Sequence, residues 1–256
     1  MRLRILGCGG GIGNGRRTTT LLVNENLLID AGTGVSDLTM EAMCLIRHIF
    51  FTHSHLDHVT CMPFLADTVF SRSKHGIKMY GLSETLGAVR THILNGTIWP
   101  DFTVIPPKQP LLSYRPVALG EKIPLDRLEV TVIPVNHSVP GVGYLVDDGQ
   151  HAFAFSGDTS TNETFWNALN AHPRLDLLIV EVGFPNEQEA LAKISGHYTA
   201  TLLARDIAQL RHRVPIYITH MKPGLEDQIM LECREQMPEY NLAPLADRMI
   251  FEFPYV

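Results

Sequence analysis

Paired cysteines are missing from this chain. Its four cysteines, Cys8, Cys44, Cys61 and Cys233, are scattered and show no C-x-x-C spacing. That argues against a disulfide framework and a thiolate-rich structural zinc site, and it suits free thiols in a reducing compartment. The expected location is the cytoplasm. Long apolar runs are also absent: none approaches the ~18 residues of a membrane span, so no membrane partner is expected. Arginines near the start are followed by glycines from Gly7 onward, which cut off any signal-peptide core. Positive charge is scarce. The 21 Lys and Arg against 27 Asp and Glu leave a net charge of −6, which argues against a broad electrostatic nucleic-acid surface. No internal repeat or low-complexity tract points to a solenoid or a disordered chain. What remains is an ordinary globular mix, 45% hydrophobic and 19% charged, in 256 residues that can bury a large core as one domain spanning 1–256.

Strand-like and helical patterns alternate along the chain, which gives a mixed α/β class. Arg2 to Leu6 forms a predicted strand, followed by a glycine-rich loop from Gly7 to Gly15. Thr18–Val23 and Leu27–Ile29 are predicted strands joined by Asn24-Glu25-Asn26, a hairpin by its turn chemistry. Helices are expected at Val59–Val69, with Pro63 in or just past the first turn, and at Ser83–His92, with Ser83 as N-cap. Others are expected at Thr161–Ala171, Thr199–Leu210 and Glu226–Gln236. The glycine loop superficially suggests a dinucleotide fingerprint. No window reads G-x-G-x-x-G, however, and the loop runs into the β-type stretch Thr18–Val23 where that fingerprint requires a helix. Close backbone packing beneath a site explains the glycines better.

The densest chemistry lies in His53-Ser54-His55-Leu56-Asp57-His58, just past the apolar run Ile49-Phe50-Phe51. Three imidazoles and a carboxylate in six residues have no packing reason to cluster, but they have a coordination reason. Mixed nitrogen and oxygen donors suit zinc, iron or manganese rather than calcium or magnesium. In extended backbone His53 and His55 point the same way, leaving Asp57 and His58 for a second ion. Further donors end later apolar runs: His137 after Leu128–Val135, Asp158 after His151–Phe155, and His220 after Val214–Ile218. Polar residues just past buried strands are where an α/β protein assembles its site.

This combination of H-x-H-x-D-H, a later strand-end histidine, Gly157-Asp158-Thr159 and Thr219-His220 resembles the metal pattern of the metallo-β-lactamase superfamily. The resemblance runs from Asp30 to His220. It implies an αββα sandwich of two mixed sheets with outer helices and metals at one edge. It also implies a ligand set. One ion takes His53, His55 and His137; the other takes Asp57, His58 and His220; Asp158 bridges them. Two divalent transition-metal ions are expected, zinc first, with manganese or iron as alternatives. Asp30 is expected behind a ligand histidine, accepting its ring N–H. The class of reaction is then metal-assisted hydrolysis, with Asp57 serving the attacking water. Homodimers are common in the superfamily.

Two segments narrow the substrate. In Leu177-Leu178-Ile179-Val180-Glu181-Val182-Gly183-Phe184-Pro185-Asn186, Glu181 stands just past an expected buried strand; His197 lies in Gly196-His197-Tyr198-Thr199 at an expected helix start. A histidine there can bind a phosphoryl oxygen or protonate a leaving alkoxide, and Glu181 is a second candidate substrate contact. E-x-x-F-P-N, G-H-x-T and H-x-H-L-D-H together resemble the class II cyclic-nucleotide phosphodiesterases. A similar Glu and His pair occurs in the tRNA 3′-processing ribonucleases. After His58 the chain departs from the class II pattern, with Cys61 and then Met62-Pro63-Phe64 where small and aliphatic residues are usual. The ribonucleases need a basic protruding arm, whereas Asn95–Ser113 is short and holds only Lys108 as a basic residue. That segment is expected to be a lid, with Trp99 and Phe102 packing it down. The favoured expectation is a phosphodiesterase acting on a small cyclic nucleotide. The alternatives are another hydrolase of the fold, acting on an RNA-type phosphodiester or an acyl or thioester bond, and a non-catalytic metal-binding protein.

Overall fold

The computed structural model describes residues 1–254. Its first half supplies β1 (Arg2–Gly7), β2 (Thr20–Val23), β3 (Leu27–Ile29), α1 (Met40–Met43), β4 (His48–Phe50), α2 (Leu56–Val59), α3 (Met62–Val69), β5 (Ile77–Gly81), α4 (Ser83–His92) and β6 (Leu112–Pro116). The second half supplies β7 (Lys122–Leu125), β8 (Leu128–Pro134), β9 (Val142–Asp147), β10 (Ala152–Phe155), α5 (Thr164–Ala171), β11 (Leu177–Glu181), α6 (Glu189–Ser195), α7 (Ala200–Ile207), β12 (Ile216–Thr219), α8 (Glu226–Gln236), β13 (Leu242–Pro244) and β14 (Ile250–Glu252).

Among the described residues these strands form two seven-stranded sheets, β14-β1-β2-β3-β4-β5-β6 and β13-β12-β11-β10-β9-β8-β7. Both sheets follow one plan. Antiparallel pairs run from β14 to β3 and from β7 to β10; parallel pairs then run from β3 to β6 and from β10 to β13. No sequence repeat announces this shared plan.

The central strands are apolar on both faces because both faces are covered. Leu21 and Val23 point into the cluster between the sheets, with Ile29, Phe50, Tyr144, Phe153 and Ile179. Leu22, Leu28, Ile49 and Met79 point outward beneath α3 and α4. Ala154, Leu178, Val180 and Ile218 point outward beneath α5, α7 and α8. The alternation is the period of two expected for strands. The result is the expected αββα sandwich. The two sheets are also tied directly: the Tyr144 hydroxyl donates to Phe51 O at 2.6 Å and Val142 N donates to Thr52 O at 2.9 Å. No described helix is long and apolar enough to cross a membrane.

Several element ends differ from expectation. The helix expected at Val59–Val69 is two pieces, because Pro63 lacks an N–H and its ring excludes the carbonyl one turn back. The chain breaks at Thr60–Cys61, and the earlier piece, α2, takes up Asp57 and His58. Leu82, not Ser83, is the N-cap residue of α4, and no side-chain cap bond is made there. The α5 helix starts at Thr164 rather than Thr161, because the Asn162 carboxamide oxygen accepts the Phe165 N–H at 2.9 Å. Thr199 does cap α7, its hydroxyl accepting from Leu202 N. In the Asn95–Ser113 segment Trp99 packs on Phe64 at 4.9 Å and Phe102 on Phe70 at 5.2 Å between ring centroids. Both aromatics join the cluster beneath α3 and α4, so they hold the segment down as expected.

Candidate metal centre

The strands β3, β4, β8, β10, β11 and β12 all deliver their C-terminal ends to one edge of the sandwich. The candidate residues follow those ends. Asp30 follows β3 and His53 to His58 follow β4. His137 follows β8, Asp158 follows β10, and His220 follows β12, while Glu181 is the last residue of β11. The result is two groups that share one residue. His53, His55, His137 and Asp158 have potential donor atoms within 4.8 Å of one another, and so do Asp57, His58, Asp158 and His220. All seven candidate ligands are therefore brought together, in the two sets and with the shared aspartate that the resemblance implies. None of the four cysteines joins them.

Asp158 is the centre of the arrangement. Its Oδ2 lies 3.1 Å from His220 Nε2, 3.8 Å from His53 Nε2 and 4.0 Å from His137 Nε2; its Oδ1 lies 3.3 Å from His58 Nε2. Asp57 Oδ2 lies 3.8 Å from His58 Nε2 and 3.9 Å from His220 Nε2, and it is the more open carboxylate, 30% exposed against 2% for Asp158. The residues fit divalent metal ions on their own chemistry. His53 Nε2, His58 Nε2 and Asp158 Oδ1 are buried and have no hydrogen-bond partner. Orphaned buried donors and acceptors are rare unless a ligand satisfies them. His137 Nε2 and His55 Nδ1 face each other at 3.2 Å, a separation that suits two ligand atoms of one shell.

The opposite ring atoms of His58, His53 and His137 are held in place, as ligand histidines require. His58 Nδ1 lies 2.7 Å from Asp30 Oδ2, so Asp30 stands where it was expected. Thr52, which the sequence does not flag, donates its N–H and hydroxyl to the same carboxylate, both at 2.8 Å, and its hydroxyl lies 3.1 Å from His53 Nδ1. His137 Nδ1 donates to Gly196 O at 2.7 Å. Gly196 caps α6 at φ +74°, and a Cβ there would lie 2.6 Å from Ser138 N. Only glycine offers that carbonyl. Asp30 and His220 are non-glycine residues at φ +59°. Such positions concentrate at functional sites where the surroundings over-determine them.

The glycine loop packs against His220, as expected from close backbone approach. A Cβ at Gly10 would lie 2.3 Å from His220 O. Lys222 donates its Nζ to Gly10 O at 2.9 Å and sits 5.6 Å from the centre of the Phe184 ring.

Charge is distributed unevenly. Burial pushes the imidazole of His137 down to about 4 and that of His220 to about 3, and it holds His53 well below the usual range. These rings are neutral, the form that binds metals. His58 differs. Burial alone would lower it, but Asp158 and Asp30 together hold it well above the usual range. Burial would raise Asp158, yet His220, His58 and His53 keep it well below the ordinary carboxylate range.

His197 does not begin a helix. It precedes the N-cap Thr199 of α7 by two residues, just after the left-handed Gly196. Its ring stacks on His220 at 5.2 Å and 16°, and lies 5.0 Å from His137. Glu181 is not at an open strand end. It is fully buried, accepts Thr159 N at 3.0 Å, and faces His197 Nδ1 at 2.7 Å. The expected direct substrate contact at Glu181 is thus replaced by a contact with His197. Burial would lower the His197 imidazole, but the Glu181 carboxylate raises it above its usual value.

Residues 25–229 match the family described as Beta-lactamase superfamily domain. The chain is similar to a probable 3',5'-cyclic-nucleotide phosphodiesterase from Yersinia pestis, 26% identical over 86% of this chain and 78% of that protein. It is similar to a Ribonuclease Z from Haloarcula marismortui, 25% identical over 99% of this chain and 98% of that protein. Among solved structures, unliganded yeast PDE1 shares the fold with a TM-score of 0.82 at 16% identity, over 96% of this chain and 97% of that one. With the family matched over most of its length and two metal-type donor groups at the sheet edge, this chain belongs to the beta-lactamase superfamily and is a hydrolase of the metallo-β-lactamase fold.

Proposed function

We propose that this chain is a 3',5'-cyclic-nucleotide phosphodiesterase working with two divalent ions, zinc by preference. The observation that carries the phosphodiester chemistry of this reading is the Glu181–His197 pair set against both donor groups, with His197 stacked on His220 and Nδ1 tied at 2.7 Å to the carboxylate. His53, His55, His137 and Asp158 would hold one ion, and Asp57, His58, His220 and Asp158 the other. When bound, such ions lower the pKa of a water and polarise a phosphoryl oxygen. The chain's own residues supply the rest. Asp57, the more open carboxylate, accepts a hydrogen bond from the attacking water and orients it. His197 has Nδ1 engaged by Glu181, which leaves Nε2 to bind a phosphoryl oxygen and to give a proton to the departing ribose oxygen. Glu181 is a positioning residue that fixes the ring and favours its protonated form.

The similarity to the Yersinia pestis protein supports this substrate class. The Ribonuclease Z similarity favours a second reading, a linear RNA phosphodiester, because its alignment spans both chains almost fully. Two observations weigh against it. The 95–113 segment has one basic residue and its aromatics are packed away, and the net charge is −6. The test is a panel of cyclic AMP, cyclic GMP, a linear phosphodiester and a thioester, run on protein whose metal content is measured. Turnover of a cyclic nucleotide above the other substrates is expected. No cyclic-nucleotide turnover in fully metallated protein would transfer the assignment to the other hydrolases of the fold.

A further inference from the structure

The left-handed backbone of His220 is templated from outside its own strand. His220 N donates to Cys8 O at 2.9 Å, and the Thr219 hydroxyl donates to the same carbonyl at 3.1 Å. Gly10 N donates to Met221 O at 3.1 Å, on the far side of the same residue. The Cys8–Gly10 segment is therefore a mould for residues 219–221. Wherever Cys8 goes, the His220 ring follows, since φ +59° is a conformation an L-residue adopts only when its surroundings demand it.

One side chain fixes the mould. Asp247 lies in the connection between β13 and β14, far from His220 in sequence. Its Oδ1 accepts both the Cys8 N–H at 3.1 Å and the Cys8 thiol at 3.2 Å, while Oδ2 accepts the Arg17 N–H at 3.1 Å. Cys8 and Arg17 are the two stems of the glycine loop, already joined by Gly9 N donating to Arg17 O at 2.8 Å. A single carboxylate thus receives both stems. The connection bearing it is itself anchored beside the ligand strand, Leu245 N donating to Ile218 O at 2.8 Å.

We propose that Asp247 is a positioning residue for the second metal: it sets Cys8, Cys8 sets the backbone of His220, and His220 completes the group with Asp57, His58 and Asp158. The inference rests on the dinuclear reading given above. Among the described residues, Asp247 bonds to Cys8 and Arg17 and not to the His53, His55 and His137 side, so the two ions separate its role from a general one.

The test is stepwise titration of metal-free protein with cobalt(II), read by its visible absorption, together with zinc competition, for wild type, Asp247→Ala and Asp247→Asn. Outer partners of metal ligands typically contribute roughly 10–100-fold in metal affinity. A loss of that size is expected at one of the two ions in Asp247→Ala, with the other unchanged. A smaller loss is expected in Asp247→Asn, which keeps an acceptor for Cys8 but turns an N–H toward Arg17. If Asp247→Ala does not fold, Asp247→Asn carries the test alone. Wild-type protein that takes up two ions while the folded variant binds both with unchanged affinity overturns the inference by itself. Equal losses at both ions also overturn it, because they indicate a general loss of structure. Wild-type protein that takes up fewer than two ions overturns the dinuclear reading and the inference with it.

Discussion

Glu181 and His197 form a buried pair, carboxylate Oε1 to ring Nδ1 at 2.7 Å, in which the acid stands behind the base. The Glu181 carboxylate favours the protonated ring, so His197 is held charged, with its Nε2 proton available for a departing oxygen. His197→Ala should lower kcat on a cyclic nucleotide by ~10²–10⁴, the range for a lost general acid. On a nitrophenyl phosphodiester, whose leaving group needs no proton, the loss should be much smaller. Glu181→Gln should fall between wild type and His197→Ala on the nucleotide. The measurement is kcat for both variants on both substrates; equal losses for His197→Ala on the two would assign it to binding rather than proton donation.

Among the described residues, Asp158 is the one shared by both donor groups. Asp158→Ala should therefore lower metal occupancy at both, whereas His55→Ala should lower it chiefly at one. Elemental analysis after metal loading and desalting checks this. Two ions retained per chain in Asp158→Ala would remove the bridging role.

The site was legible where side-chain chemistry and spacing carry it. His53, His55, Asp57 and His58 announce themselves by crowding, and His137, Asp158 and His220 by following apolar runs. The mixed α/β class was legible in the alternation of strand-like and helical runs, and the sandwich followed from the resemblance of the metal pattern; strands such as Leu21-Leu22-Val23, covered on both faces, agree with it. What stayed hidden is carried by backbone or by long-range pairing. The Gly196 carbonyl that orients His137 has no side-chain signal. Thr52 looks like any strand residue until Asp30 folds beside it. The burial of Glu181 follows from β11 lying between β10 and β12, which local composition does not reveal. The split of the helix after His58 could have been read from Pro63.

Asp57 and Asp30 both serve the second donor group, yet they should fail in different ways. Asp57 is partly open and touches the reacting side; Asp57→Asn keeps its shape. That variant should remain folded, with a melting temperature near wild type in metal-free protein, while kcat falls by ~10² or more. Circular dichroism melting and steady-state kinetics on metal-loaded protein check the two halves separately. Near-normal kcat in a metal-loaded variant would take Asp57 out of the chemistry.

Asp30 is fully buried and receives three groups: the Thr52 N–H and hydroxyl at 2.8 Å each, and His58 Nδ1 at 2.7 Å. Removing one partner of a buried charged pair typically costs about 3–5 kcal/mol, because the other is left uncompensated. Unmet buried donors act in the same direction. Asp30→Ala should therefore destabilise metal-free protein by about that amount, a fall in melting temperature of roughly 6–20 °C for a chain of this size. Asp30→Asn tolerates the left-handed backbone and keeps an acceptor for Thr52, so it should lose less. It still turns an amide toward His58 and removes the charge that, with Asp158, holds that imidazole above its usual range. Thermal melts of the two variants in chelator, set beside Asp57→Asn, make the comparison. An Asp30→Ala protein as stable as wild type would mean that this carboxylate contributes no net stability, and that its burial is retained for orienting His58 alone.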